Sequence, residues 1–147
     1  MVAVNYNALK FGQYDNGWVN DSYIRCYEGV RQASIMINNV DINEELTKEE
    51  ILDKKAQARF LRAYFYWLLL RRYGPVPLIP DETISIDETY IGMSCPRATY
   101  DEVVDYIDKE MILAANDLPD RTSRQNIARA TKGRSTSCTC KSFIILR

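Results

Sequence analysis

Five carboxylates crowd one stretch of this chain: Asp101, Glu102, Asp105, Asp108 and Glu110. Paired carboxylates can run acid–base chemistry or hold Ca²⁺. The spacing matches no EF-hand, and no glycine stands at the position where that loop must turn. The same stretch carries a clean apolar stripe of helical period, so the five acids are expected on its solvated face. Four arginines, Arg59, Arg62, Arg71 and Arg72, could bind an anion. Ion pairs with neighbouring acids and complementarity to a helix C-terminus are the expected roles. Tyr64-Phe65-Tyr66-Trp67 could stack on sugar rings. Four consecutive helical residues point all round the axis, so they form no single flat platform and are read as core. Tyr14, Trp18 and Tyr90 lie at or beyond helix ends and are better placed to touch a ligand, because loops carry function more often than packed helices do.

Other chemistry is absent by composition. The chain contains no histidine, which removes Ser-His and Cys-His catalytic pairs and any His-ligated metal. Its cysteines, Cys26, Cys95, Cys138 and Cys140, form no paired zinc spacing. Cys26 falls on an apolar helix face and reads as a small core residue. No catalytic residue, metal site or cofactor is expected. The net charge of −1 gives nucleic-acid binding no electrostatic support. No apolar run approaches the ~20 residues that cross a bilayer, and Met1-Val-Ala-Val does not resemble the start of a signal peptide.

Three helices must position these residues. Val19, Tyr23, Cys26, Val30, Ala33, Ile37 and Val40 step by three and four, which predicts a first helix from about Trp18 to Val40. Thr47-Lys-Glu-Glu50 is a capping box that opens the second. Leu52, Ala56, Ala63, Trp67 and Leu70 form one of its stripes, and Leu61, Phe65 and Leu68 another. Apolar on several faces, this helix must be central. Arg71 and Arg72, then Gly74 and Pro75, end it. Pro75-Val-Pro-Leu-Ile-Pro80 must be extended. Asp81 to Met93 alternates weakly and reads as an excursion with an edge strand. Thr99-Tyr-Asp-Glu102 caps the third helix, whose stripe is Val104, Ile107, Met111, Ala114 and Leu118, and Pro119 stops it. The expected class is all-α: antiparallel helix pairs of tetratricopeptide type, with roughly 34 residues per repeat. Because roughly three such repeats are needed for stability, the superhelix reads as incomplete.

Five blocks in order resemble the SusD/RagB family. They are the tyrosine-rich helix from Tyr23 to Asn39; Ala56, Arg59-Phe-Leu-Arg-Ala63, Tyr66, Leu69, Tyr73-Gly74 and Val76-Pro-Leu78; Arg97, Thr99, Glu102-Val103 and Ile107; Leu118-Pro119; and Ala128-Arg-Ala-Thr-Lys-Gly133. The resemblance implies a non-catalytic, surface-exposed lipoprotein of the outer membrane. Such a protein holds oligosaccharide over a TonB-dependent, SusC-like transporter. It implies no ligand-binding residue at a given position, because the family's aromatic glycan site lies largely outside the matched blocks. A helical protein-interaction module is the alternative.

The chain departs from the family at both ends. It shows no signal peptide or lipidation cysteine. Residues 1–133 read as a partial SusD-like N-terminal region, and residues 134–147 as an aberrant tail. One choice of synonymous codons for Arg134 to Cys140, read one base later, encodes Ala-Ala-Leu-Ala-Ala-Leu, close to the family's next helix. A frameshift is therefore expected there.

Overall fold

The computed structural model describes residues 16–80, 95–120 and 129–137, with side chains from Ser22 onward. Three long helices carry it: α1 (Asn16–Asn39), α2 (Lys48–Tyr73) and α3 (Tyr100–Asp117). A single 3₁₀ turn, Val40–Ile42, follows α1. A short helical segment, α4, covers 132–137. The fold is all-α and tetratricopeptide-like, with α2 central and packed on α1 on one side and α3 on the other.

Both capping boxes form. Thr47 Oγ1 accepts from the Glu50 amide at 3.3 Å, and Glu50 accepts from the Thr47 amide at 3.0 Å. Thr99 and Glu102 repeat the arrangement at 3.3 and 2.7 Å. Each box satisfies amides that the helix start leaves without partners. At its other end α2 stops at Gly74, whose φ of 70° suits glycine and whose N–H donates to Leu70.

Of the stripe predicted for the first helix, Cys26, Val30, Ala33 and Ile37 of α1 and Val40 of the 3₁₀ turn are buried and Tyr23 is half-buried, while the side chain of Val19 lies outside those described. From α2 the core takes Ala63, Tyr66, Leu69 and Leu70; from α3 it takes Val103, Val104, Ile107 and Met111. A second cluster joins Ala56 of α2 to Ala114, Leu118 and Ala130. Gly29 lets α1 and α2 close up, because a Cβ there would lie 2.5 Å from the Phe65 ring. Two stripe members differ from expectation. Leu52 and Leu61 are about half exposed, at 50% and 47%. Helical geometry turns Leu61 about 200° from Ala63, away from the buried face. Trp67 and Phe60 are half-buried against the core edge, not enclosed by it.

The Pro-rich connector is extended. Pro77 pairs with Arg97 in an isolated antiparallel bridge, and the Ala98 N–H donates to the Val76 carbonyl at 3.3 Å. The edge strand expected between Asp81 and Met93 lies outside the described residues. Further on, Gln57 reads the backbone of Ala130 in both directions, at 3.0 and 3.3 Å, and Arg129 pairs with Asp53 at 2.9 Å. These contacts seat α4 on the α2–α3 pair, where buried Ser135 donates to the Met111 carbonyl at 2.6 Å. Cys138 and Cys140 lie outside the described residues.

Candidate functional site

The acidic run of α3 does not behave as one face. Asp101, Glu102 and Asp105 are exposed, as expected. Glu102 is committed to its cap, and the two hydrogen bonds from Thr99, backbone first, pull its pKa down. Asp108 is half-buried. Burial, and then the charge of Asp105, push its pKa up, and its Oδ1 is a buried atom with no hydrogen-bond partner. Glu110 is a correction to the solvated-face reading: it is 5% exposed. It turns inward because α2 places two arginines opposite it.

Arg62 is 1% exposed and spans all three helices. Its Nη2 donates to Glu110 Oε2 at 2.6 Å and its Nη1 to Ser34 Oγ of α1 at 3.2 Å. The guanidinium carbon also lies 5.8 Å from the Tyr106 ring centroid. Arg59 donates to Glu110 Oε1 at 3.0 Å. Both carboxylate oxygens of Glu110 are therefore held by cations, a strong charge-assisted arrangement. The expectation of ion pairing is met for these two arginines, through a partner on another helix. Arg71 and Arg72 occupy the last turn of α2 and are exposed. Arg71 lies over Trp67, 4.9 Å from the ring centroid.

The aromatics divide by helix angle. Tyr66 is fully buried and Phe65 faces Gly29, so the run from Tyr64 to Trp67 does point all round. The sequence reading missed a row at spacings of four and three. Phe60 and Tyr64 lie nearly parallel with centroids 6.4 Å apart, and Tyr64 and Trp67 are stacked at 5.8 Å. The i, i+4, i+7 spacing of Phe60, Tyr64 and Trp67 was the available signal. A second group gathers tyrosines from all three helices. Tyr23 meets Tyr27 and Tyr73, Tyr27 meets Tyr66, and Tyr66 meets Tyr106, with centroids between 4.8 and 6.3 Å apart. Two of their hydroxyls grip the connector. Tyr27 donates to the Pro77 carbonyl at 2.8 Å, and Tyr66 accepts from the Ile79 amide at 3.0 Å. Burial, and next a hydrogen bond with Tyr23, push the Tyr27 phenol far up, so it remains a neutral donor.

This clamp holds the connector at Pro77 and Ile79, and the Pro77–Arg97 bridge ties it to the residues that lead into α3. Tyr14 and Tyr90 themselves lie outside the described residues, as does the side chain of Trp18. Cys26 is buried as expected, and burial raises its thiol pKa. Among the described residues no group of three acids or cysteines could hold a metal ion, and no helix is long and apolar enough to cross a membrane. The arrangement can position a connector and hold helices in place.

Comparison with known proteins agrees with this scaffold. Residues 3–141 match the family model SusD-like_3, described as starch-binding and associating with the outer membrane. A SusD-like protein of Formosa agariphila is 24% identical over 102 residues, which is 69% of this chain and 19% of that protein. A crystal structure with xylogluco-oligosaccharide superposes with a TM-score of 0.75 at 23% identity, covering 95% of this chain and 27% of the other. A laminarin-binding SusD-like protein gives 0.74 at 22% identity, covering 84% and 26%. These structures share the fold. The chain spans about a fifth of the length of the curated relatives it matches. With one family model covering nearly its whole length, and with the helices and clamp in the order of its five sequence blocks, this chain belongs to the SusD-like family.

Proposed function

We propose that this chain serves non-catalytic capture of oligosaccharide at the outer surface of the outer membrane, in partnership with a TonB-dependent, SusC-like transporter. The observation that carries the reading is the family match over residues 3–141, whose description is starch binding at the outer membrane. Structures of the same fold are described with laminarin and xylogluco-oligosaccharide. Within such a protein the described residues supply the packed scaffold, and the tyrosine clamp sets where the connector leaves it. We assign no glycan-contacting residue, because the described aromatics are buried or packed against their neighbours. Residues 1–133 act as the SusD-like region in this reading, and the stretch after Gly133 as a frame-shifted tail, although the family match takes in residues 134–141 as well. Sequencing the coding DNA tests the tail: a family-like helix must appear in another frame.

The interaction-module reading gains little. Its mark would be a continuous exposed apolar groove. Among the described residues the exposed large apolar side chains are spread over several elements: Ile24 and Met36 on α1, Ile42 on the 3₁₀ turn, Leu52 and Leu61 on α2, Ile112 and Leu113 on α3.

Deleting the gene tests the function. Intact cells should lose binding of fluorescently labelled oligosaccharide, while cell extracts should hydrolyse the same glycan at an unchanged rate. Unchanged cell binding would sink the capture role. Lost hydrolysis with binding intact would point to an enzyme. A neighbouring gene for a large outer-membrane β-barrel transporter supports the partnership, and its absence weakens it.

A further inference from the structure

We infer that the buried Arg62–Glu110 pair is a register lock that selects one alignment of α2 against α3, with Ser34 extending the selection to α1. The aliphatic contacts between α2 and α3 select one only weakly. On α3 the buried apolar positions recur along the helix at Val103, Val104, Ile107, Met111 and Ala114, with Leu118 just past its end. On α2 the facing positions include Ala56 and Ala63, seven residues apart and both essentially inaccessible. Small residues opposite a repeating stripe oppose a slide weakly, which leaves the Tyr66–Tyr106 ring contact and the charges to resist it.

The charges do not accept it. A slide of α3 by one turn would carry Glu110 about 5.4 Å from Arg62 and bring an apolar side chain to the guanidinium. Arg62 at 1% exposure would then face an apolar neighbour in place of the carboxylate. Stranding a buried charge is far costlier than losing an apolar contact, whereas the intact pair compared with an apolar pair is close to neutral. That asymmetry is what a register device needs, as with a single polar residue in a coiled-coil seam. The planar fork sharpens it. One guanidinium bonds Glu110 and Ser34 through different nitrogens, at 2.6 and 3.2 Å, so α1, α2 and α3 must be in place together.

The test compares Arg62→Met, Glu110→Leu, the double variant and Arg62→Lys in the 147-residue chain. Circular dichroism reads helix content and the unfolding midpoint. Nuclear magnetic resonance reads register through two contacts, Ala56 to Ala114 methyl and Tyr66 to Tyr106 ring. Each single apolar variant should unfold at a markedly lower temperature. The double variant should recover helix content and midpoint, yet show more than one set of signals for Ala56, Ala63 and Ala114. Arg62→Lys retains a charge for Glu110 and should keep a single set with both contacts. Three results would overturn the lock: a double variant with one set of signals and both contacts intact, a double variant as unfolded as the singles, or multiple sets in the unaltered chain.

Discussion

Glu102 and Glu110 stand on the same helix, and the structure uses them in opposite ways. Glu102 is exposed, and its carboxylate accepts from Thr99, three residues away. Glu110 is buried, and its partners Arg62 and Arg59 lie 48 and 51 residues distant. The first organises one helical turn; the second joins elements. The same contrast separates the ends of the helices from their middles throughout the chain. Caps at Thr47 and Thr99 are local and wet, while the Arg62–Glu110 pair and the Tyr66–Ile79 bond are long-range and dry. Damage at the two kinds of site should therefore differ in both size and reach.

Breaking the dry network should have the largest effect. Glu110→Ala leaves Arg62 buried without its carboxylate and should cost about 3–5 kcal/mol, read as a shift in the denaturant midpoint. A loss near that of an exposed ion pair, about 0–1 kcal/mol, would show that Arg62 reaches water and that the contrast is overdrawn. Next comes the clamp. Tyr66→Phe keeps the ring but removes the acceptor for the Ile79 amide, leaving a buried donor alone, and should cost about 1–3 kcal/mol. Its mark should be faster amide exchange at Ile79, with helix content unchanged. Unchanged exchange there would mean that the hydroxyl does not hold the connector.

The caps come third. Thr47→Ala and Thr99→Ala should each cost about 0.5–2 kcal/mol, with amide exchange accelerated in the first turn of α2 or α3 alone. Acceleration spreading to Ile107 or Met111 would erase the distinction between local and long-range sites.

This division also sets what the sequence made legible. Both capping boxes and the Gly74-Pro75 stop are written within a few residues, the first helix's stripe in a simple period, and the described part of each appears where its motif stands. The five-block resemblance likewise names the family and the all-α class. The burial of Glu110 was not legible. In the sequence it is one more acid in an acidic run, and only the docking of α3 brings it to Arg62. Gln57 is similar: nothing local marks it as the residue that grips Ala130. The tyrosine clamp was half legible, since the tyrosines were plain and their backbone partners on the connector were not. The site suffers most from this limit: no ligand-contacting residue could be assigned, and the aromatics better placed for one, Tyr14, Trp18 and Tyr90, stand at helix ends or on a segment with only weak alternation.

The smallest effect expected is in the dependence on pH, and here the carboxylates of one chain pull in opposite directions. Hydrogen bonds from Thr47 and Thr99 lower the pKa of Glu50 and Glu102 in the folded state. Their contribution is present above the ordinary glutamate range and is lost as pH falls through the lowered folded values. Asp108 runs the other way. Burial, with Asp105 nearby, raises its folded pKa, so its contribution is complete below the ordinary aspartate value and fades as pH rises through the raised one. Acidifying from neutrality should first relieve Asp108 and then weaken the two caps, giving a shallow stability maximum on the acid side of neutral. Asp108→Asn should flatten the limb towards neutral pH and leave the acid limb alone. Glu50→Gln with Glu102→Gln should flatten the acid limb only. Denaturant midpoints measured at closely spaced pH values separate the two. If Asp108→Asn changes the acid limb instead, its carboxylate is solvated and the half-buried position does not govern its charge.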